Sequence, residues 1–400
     1  MRKRKGIALA VVTPLLAWSF AGTAHAVDVS FDGDPASGSI LVSLADGRLG
    51  WMKQSGGTTI NGVFFGNNQG AGTVQEIDIG DIDGDGNGDI LTARDVGPGV
   101  SGEVTWTERL ANNLSGQPVS FNVSPASSIA VGDLDGDGDG DAILGRNDGF
   151  ITWVERIGGN VTANHTFNVG GVVAVAIGDL DGDANGDVVS AQPGGQLLWA
   201  ERSGNNLSGN FVGFNVSPAV TLEIGNLDND GDGDIVIGRQ DGFISWAERS
   251  GNSITSGGGL ANPSFNVGSV ADLALADVNG DGEQEIIGAQ SALGGGVFIL
   301  DHNGASISLI SNLFTAVGPG ASITALDVGD IDADGMLDIV VGRSDGFVTW
   351  MEVSNNGLTI SGVTSFNVGS AVTDLRIASV PEPASLALMA MGLGAVIRRR

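Results

Sequence analysis

Six stretches of the chain set oxygen-bearing side chains at alternating positions of a nine-residue frame. The first holds Asp81, Asp83, Asp85, Asn87 and Asp89, and the second Asp133, Asp135, Asp137, Asp139 and Asp141. The third has Asp179, Asp181, Asp183, Asn185 and Asp187, and the fourth Asn226, Asp228, Asp230, Asp232 and Asp234. The fifth runs through Asp277, Asn279, Asp281, Glu283 and Glu285, and the sixth through Asp330, Asp332, Asp334, Met336 and Asp338. Carboxylates at positions 1, 3, 5 and 9 of a tightly curled backbone can converge on one ion, with a backbone carbonyl near position 7. Glycine at position 6 permits the sharp turn. An all-oxygen set rich in carboxylates suits a hard cation, and Ca2+ accepts about six to eight such ligands at loose geometry. Zn2+ would want His or Cys, which these loops lack. The expectation is therefore several bound Ca2+ ions, up to six.

The copies are unequal. Ala184 stands where the third loop needs glycine, the fourth opens on the neutral Asn226, and the fifth has Asn279 at position 3 and Glu285 at position 9. Asp32 and Asp34 lie where a seventh loop would fall, but Pro35 and the serines after it make binding there doubtful. Position 12 of the second loop is Leu144, where an EF-hand needs glutamate.

The elements that must position these loops are short strands. The loops begin 52, 46, 47, 51 and 53 residues apart. Within each interval an apolar run enters the loop and a second leaves it, as in Asp234 to Gly238. An Asp-Gly turn follows (Asp148-Gly149, Asp241-Gly242, Asp345-Gly346), then an alternating run such as Phe150 to Arg156, then a Phe-Asn-Val segment. That is four strands per repeat of about fifty residues, the unit of a β-propeller blade. Residues 371–378 match only a first strand, and residues 40–65 match only the second, third and fourth. Joined, they complete a seventh blade. The prediction is an all-β, seven-bladed β-propeller over residues 27–380 whose last blade is shared by both termini, which removes free sheet edges.

Composition agrees. Glycine numbers 66 of 400 residues, which opposes a mainly helical fold. Cysteine is absent, so no disulfide staples the fold and no thiol acts as nucleophile. There are 47 acids against 18 bases, and seven of the bases cluster at the two ends (Arg2 to Lys5 and Arg398 to Arg400). A body this acidic repels nucleic acid and anionic lipid and calls for cations.

The acidic loops resemble the FG-GAP (VCBS-type) repeats of integrin-α-like propellers. In that family such loops, between the first two strands of a blade, bind calcium, and the resemblance covers nearly the whole mature chain. Residues 1–26 read as a secretory signal: basic Arg2 to Lys5, an apolar stretch to Phe20 and Ala24-His25-Ala26 before the cut. At the other end, Pro381-Glu382-Pro383 precedes an apolar run from Ala384 to Ile397 and three arginines. This tail resembles the PEP-CTERM sorting signal of Gram-negative bacteria. The resemblance implies recognition by an exosortase-type protease with cleavage near Pro-Glu-Pro, so that the membrane is met only through residues 381–400, before processing.

Trp51, Trp106, Trp153, Trp199, Trp246 and Trp350 recur on the third strand, with Phe298 in one copy, and read as blade-to-blade packing. Glu155-Arg156, Glu201-Arg202 and Glu248-Arg249 read as surface or inter-blade ion pairs. Tyrosine is absent, His165 and His302 stand alone, and no Ser-His-Asp arrangement is legible. The expectation is a non-enzymatic, Ca2+-stabilised surface or matrix protein that binds an extracellular glycan or protein. A lectin-like sugar-binding propeller and a Ca2+-dependent polysaccharide-active enzyme are the alternatives.

Overall fold

The computed structural model describes residues 38–378 apart from 55–59, 66–72, 83–87, 96–101, 108–118, 124, 137–139, 158–159, 184, 204–205, 209–213, 229, 232, 251–252, 257–263, 303–305, 315–319, 333 and 355–358. The expected signal, the Pro-Glu-Pro tail, Asp32 and Asp34 all lie outside the described residues.

All the described elements are β-strands, and they form seven antiparallel sheets. The innermost strands are Thr73–Gly80, Ala126–Gly132, Ala174–Gly178, Ala219–Gly225, Asp272–Ala276, Ile323–Gly329 and Val372–Ala378. Each touches the next, and Val372–Ala378 touches both Ile323–Gly329 and Thr73–Gly80, so the ring closes. The molecule is a seven-bladed β-propeller. The closing blade runs Ile60–Phe65, Leu49–Gln54, Ser39–Leu44 and Val372–Ala378 from rim to centre. Its register pairs Ser39 with Ala378 and Val42 with Leu375. It is the shared blade that the two half-repeats imply.

Burial explains the sequence pattern of each strand. Second strands such as Asp338–Arg343 are buried on both faces, because a blade lies against each side, so they read as unbroken apolar runs. The rim strand Thr359–Asn367 alternates exposed and half-buried positions. The cores therefore lie between blades: Val189 and Trp199 of one blade pack with Leu222, Ile235 and Ile237 of the next. The Asp-Gly hairpins are closed by left-handed glycines, with φ of 90° at Gly149, 83° at Gly242 and 82° at Gly346. Arg146, Arg239 and Arg343 each pair with the Asp of that turn and lie over Phe150, Phe243 and Phe347 at 5.4, 5.2 and 5.1 Å.

In every blade but the closing one, the acidic loop joins the C-terminal end of the innermost strand to the second strand. All six loops thus stand on one face of the propeller, and the Asp-Gly turns stand on the other.

Candidate metal centres

Each loop is folded by its own acids. The position-9 carboxylate accepts the backbone N–H of position 2 in all six copies. The pairs are Asp89 with Ile82 at 3.2 Å, Asp141 with Leu134 at 3.0 Å and Asp187 with Leu180 at 3.1 Å. They continue with Asp234 and Leu227 at 2.8 Å, Glu285 and Val278 at 2.9 Å, and Asp338 and Ile331 at 3.2 Å. The apolar side chain at position 2 is buried each time and anchors the loop in the core. Position 1 caps the far side of the turn: Asp179 accepts the Gly182 N–H at 2.8 Å, and Asp277 accepts Gly280 at 2.6 Å and Gly282 at 2.9 Å. Glycine at position 6 is left-handed where described, with φ of 102° at Gly231, 94° at Gly282 and 82° at Gly335. The longer Glu285 fits the same frame, and its second oxygen accepts from the Asn279 side-chain amide.

The loops are also linked around the ring. Gly140, Gly186 and Gly233 at position 8 donate their N–H to the position-1 carbonyls of Asp81, Asp133 and Asp179 in the preceding loop, at 2.6, 3.1 and 2.8 Å. Gly38 continues the series across the closing blade, donating to the Ile331 carbonyl at 2.9 Å. A Cβ on Gly233 would lie 2.6 Å from the Asp179 carbonyl oxygen. Gly233→Ala should therefore destabilise the propeller by about 1–3 kcal/mol, read as a lower urea midpoint at unchanged slope. A midpoint equal to that of the parent protein would show that this close approach is not needed.

Carboxylates converge as the spacing requires. Ligand atoms of Asp133, Asp135 and Asp141 lie within 4.8 Å of one another, as do those of Asp179, Asp181 and Asp187, and of Asp330, Asp332 and Asp338. Two further groups include a residue outside the nine-residue frame: Asp181 and Asp183 with Glu201, and Asp228 and Asp230 with Glu248. Glu201 and Glu248 thus face the loops; the side chains of Arg202 and Arg249, with which ion pairs were expected, lie outside the described residues. The signal was in the sequence, since each glutamate stands two residues after the recurring tryptophan. In the closing blade that place holds Lys53, and there is no described loop for it to serve. Asp83, Asp85, Asn87, Asp137, Asp139 and Asp232 lie outside the described residues.

Burial acts strongly on these acids. It pushes Asp141, Asp187 and Glu285 up to about 7, and Asp234 and Asp338 up to about 8, with neighbouring carboxylates adding to the rise. The indole N–H groups of Trp153, Trp199, Trp246 and Trp350 face the position-9 acids and pull the other way. These tryptophans are at most 4% exposed, so they pack the blades and form no open aromatic platform. Among the described loop residues, Oδ1 of Asp141 and Oδ1 of Asn226 are buried without a hydrogen-bond partner. An orphaned oxygen on Asp141, which converges with Asp133 and Asp135, fits a hard cation, which would satisfy it.

A second acidic group lies in the central channel, where a cavity of about 240 Å3 touches all seven innermost strands. Five carboxylates there each accept a backbone N–H from the next blade's innermost strand. Glu76 takes Ile129 at 2.8 Å, Asp78 takes Val131 at 2.7 Å and Asp272 takes Leu326 at 2.9 Å. Asp327 takes Ile377 at 2.7 Å, and Asp374 takes Ile77 at 2.8 Å. Arg376 lies 3.1 Å from Asp374, 3.5 Å from Asp78 and 4.0 Å from Glu76. Burial raises Glu76 well above the usual range, Asp272 to about 7 and Asp374 to about 6, while Arg376 draws all three down. The channel acids are thus latches between blades. Sequence reading missed them because they recur in only some copies.

Residues 277–341 match the family model of the FG-GAP-like repeat, and residues 379–400 match that of the PEP-CTERM protein-sorting motif. No curated protein matches the sequence significantly. Similar solved structures include a candidate 6-phosphogluconolactonase from Bacteroides fragilis, at 11% identity and a TM-score of 0.60, covering 86% of this chain and 98% of that one. Its counterpart from Bacteroides uniformis aligns at 9% identity and a TM-score of 0.56, covering 86% and 99%. BBS1N, crystallised in complex with ARL6DN, aligns at 14% identity and a TM-score of 0.52, covering 81% and 90%. At these identities the likeness is one of fold. The chain is a seven-bladed β-propeller with FG-GAP-like repeat sequence and a PEP-CTERM motif. That motif goes with export, membrane-anchored sorting in Gram-negative bacteria and processing by an exosortase-type system.

Proposed function

We propose that the protein is a Ca2+-binding propeller which, after export and tail processing, serves as a non-enzymatic adhesion or binding protein of the cell surface or extracellular matrix. The observation that carries the calcium reading is the convergence of Asp133, Asp135 and Asp141, with the buried Asp141 Oδ1 left without a hydrogen-bond partner. In the second loop, Asp133, Asp135 and Asp141 would hold the ion; in the third, Asp179, Asp181, Asp183 and Asp187 with Glu201. Bound Ca2+ would neutralise the mutual repulsion of these acids. The chain's own part is to fix position 9 through the position-2 N–H and to fix the turn through position 1.

The non-enzymatic part is supported by the fate of the polar groups. The channel carboxylates are engaged by backbone N–H groups of neighbouring blades, and His302 is buried edge-on against Trp246, ring centres 4.0 Å apart. The partner proposed is an extracellular glycan or protein. Elemental analysis of the folded protein tests the metal, with several Ca2+ per chain expected and none overturning the reading. A glycan array and binding to matrix proteins, each with and without Ca2+, test the partner. Turnover of a polysaccharide by the purified protein would overturn the non-enzymatic reading.

Protons should compete with the ion. Asp141, Asp187, Asp234, Glu285 and Asp338 have raised pKa values in the cation-free fold, so they hold protons up to about pH 7 to 8. Binding must displace those protons. Ca2+ affinity should therefore be full above about pH 8 and fall as pH drops below 7, by up to about tenfold per unit for each proton released. Calorimetric titration in buffers of different ionisation enthalpy reads the release; a binding heat independent of buffer would refute it.

A further inference from the structure

We infer that the face carrying the acidic loops is the face turned toward the bilayer while the tail anchors the protein. This rests on the reading of Ala384 to Ile397 as a membrane-inserted segment of the PEP-CTERM motif. The geometry comes from the last strand. Val372–Ala378 is an innermost strand, and it runs in the same direction as the other six. Ala378 stands where Gly80, Gly132, Gly178, Gly225, Ala276 and Gly329 stand in the other blades, each at the entry to an acidic loop. The chain therefore leaves the propeller beside the channel axis, on the acidic face. Gly38 and the sixth loop flank the exit, joined by the hydrogen bond from Gly38 to the Ile331 carbonyl.

The link is too short to permit the other orientation. Residues 379–383 separate Ala378 from the apolar run. Five residues reach at most about 18 Å. To bring the opposite face to the bilayer, the chain would have to cross a four-stranded blade and descend the length of a strand, a path of about 35 Å. Cations held in the loops would also remove the repulsion between this face and anionic headgroups.

The absence of cysteine allows a direct test. Two single-cysteine variants of the full chain, Ser306→Cys and Leu293→Cys, lie in the same blade. Ser306 is exposed in the connection between the third and fourth strands, on the acidic face. Leu293, 74% exposed, is in the turn between the second and third strands, on the opposite face. Each variant is labelled with a fluorescent maleimide and reconstituted with 1 mM Ca2+ into phosphatidylethanolamine–phosphatidylglycerol vesicles carrying a headgroup-spin-labelled lipid. Flotation reports insertion separately from quenching. Quenching at Ser306→Cys at least about twofold stronger than at Leu293→Cys is expected. Floating protein with equal quenching, or stronger quenching at Leu293→Cys, would overturn the orientation alone. Protein that does not float would overturn the tail reading, and the orientation with it.

Discussion

Removing Ca2+ should lower the melting temperature of the folded protein by at least about 10 °C. Each occupied loop stabilises the native state by RT ln(1 + [L]/Kd), about 2.7 kcal/mol at a hundredfold excess over Kd. Four such loops would together contribute about 11 kcal/mol. For a domain of this size the unfolding entropy converts that to a shift of about 15 °C. The loss should be greatest at alkaline pH. The raised pKa values of Asp141, Asp234 and Asp338 mean that burial favours their protonated forms. The cation-free fold thus loses stability as pH rises from the ordinary carboxylate range toward 8, and regains it as pH falls. Calorimetric scans in EGTA and in 1 mM Ca2+, at pH 6 and pH 8.5, measure both effects. Superimposable scans from protein shown to be metal-free in EGTA would dismiss the loops as solvated turns.

The second large effect should come from Arg376→Met. Among the described residues of the channel lining, Arg376 is the one base beside Glu76, Asp78, Glu223, Asp272 and Asp374. Its guanidinium neutralises a group of carboxylates that also bolt neighbouring blades together. Removing one partner from a buried charged group costs about 3–5 kcal/mol, which here means about 5 °C in melting temperature. Without the guanidinium the carboxyl pKa values rise further, so the variant should recover as pH is lowered and protons take over neutralisation. A deficit clear at pH 8 and smaller at pH 5 is the expected pattern. An equal deficit at both values would mean that Arg376 matters for packing rather than charge.

The repeat made most of the fold legible. Asp-Gly turns, the apolar position before each loop and the two half-repeats were enough to count blades and to join Ser39–Leu44 with Val372–Ala378. The loop acids could be placed because their spacing is local, within nine residues. What escaped was set by contacts between repeats. The glycine at position 8 recurs visibly, but its reason lies in the carbonyl of the previous loop. Glu201 and Glu248 stand about twenty residues from the acids they join, and only the folded blade brings them together. The channel latches were hardest to see. Asp374 reaches the Ile77 N–H, and Asp327 the Ile377 N–H, through pairings that exist only once the ring has formed.

The shared blade also has a kinetic meaning. Ser39 finds its hydrogen-bonded neighbour in Ala378, at nearly the greatest sequence separation the propeller offers. A chain made from its N-terminus cannot complete its first blade until almost its last strand has been synthesised. Contacts of such high order form slowly, since the loop-closure entropy must be met before any pairing rewards it. Until then Ser39–Leu44 presents an open edge and the ring has a gap. For an exported protein that delay is useful: the chain stays threadable through a translocation pore, and the ring closes only when its final strand arrives.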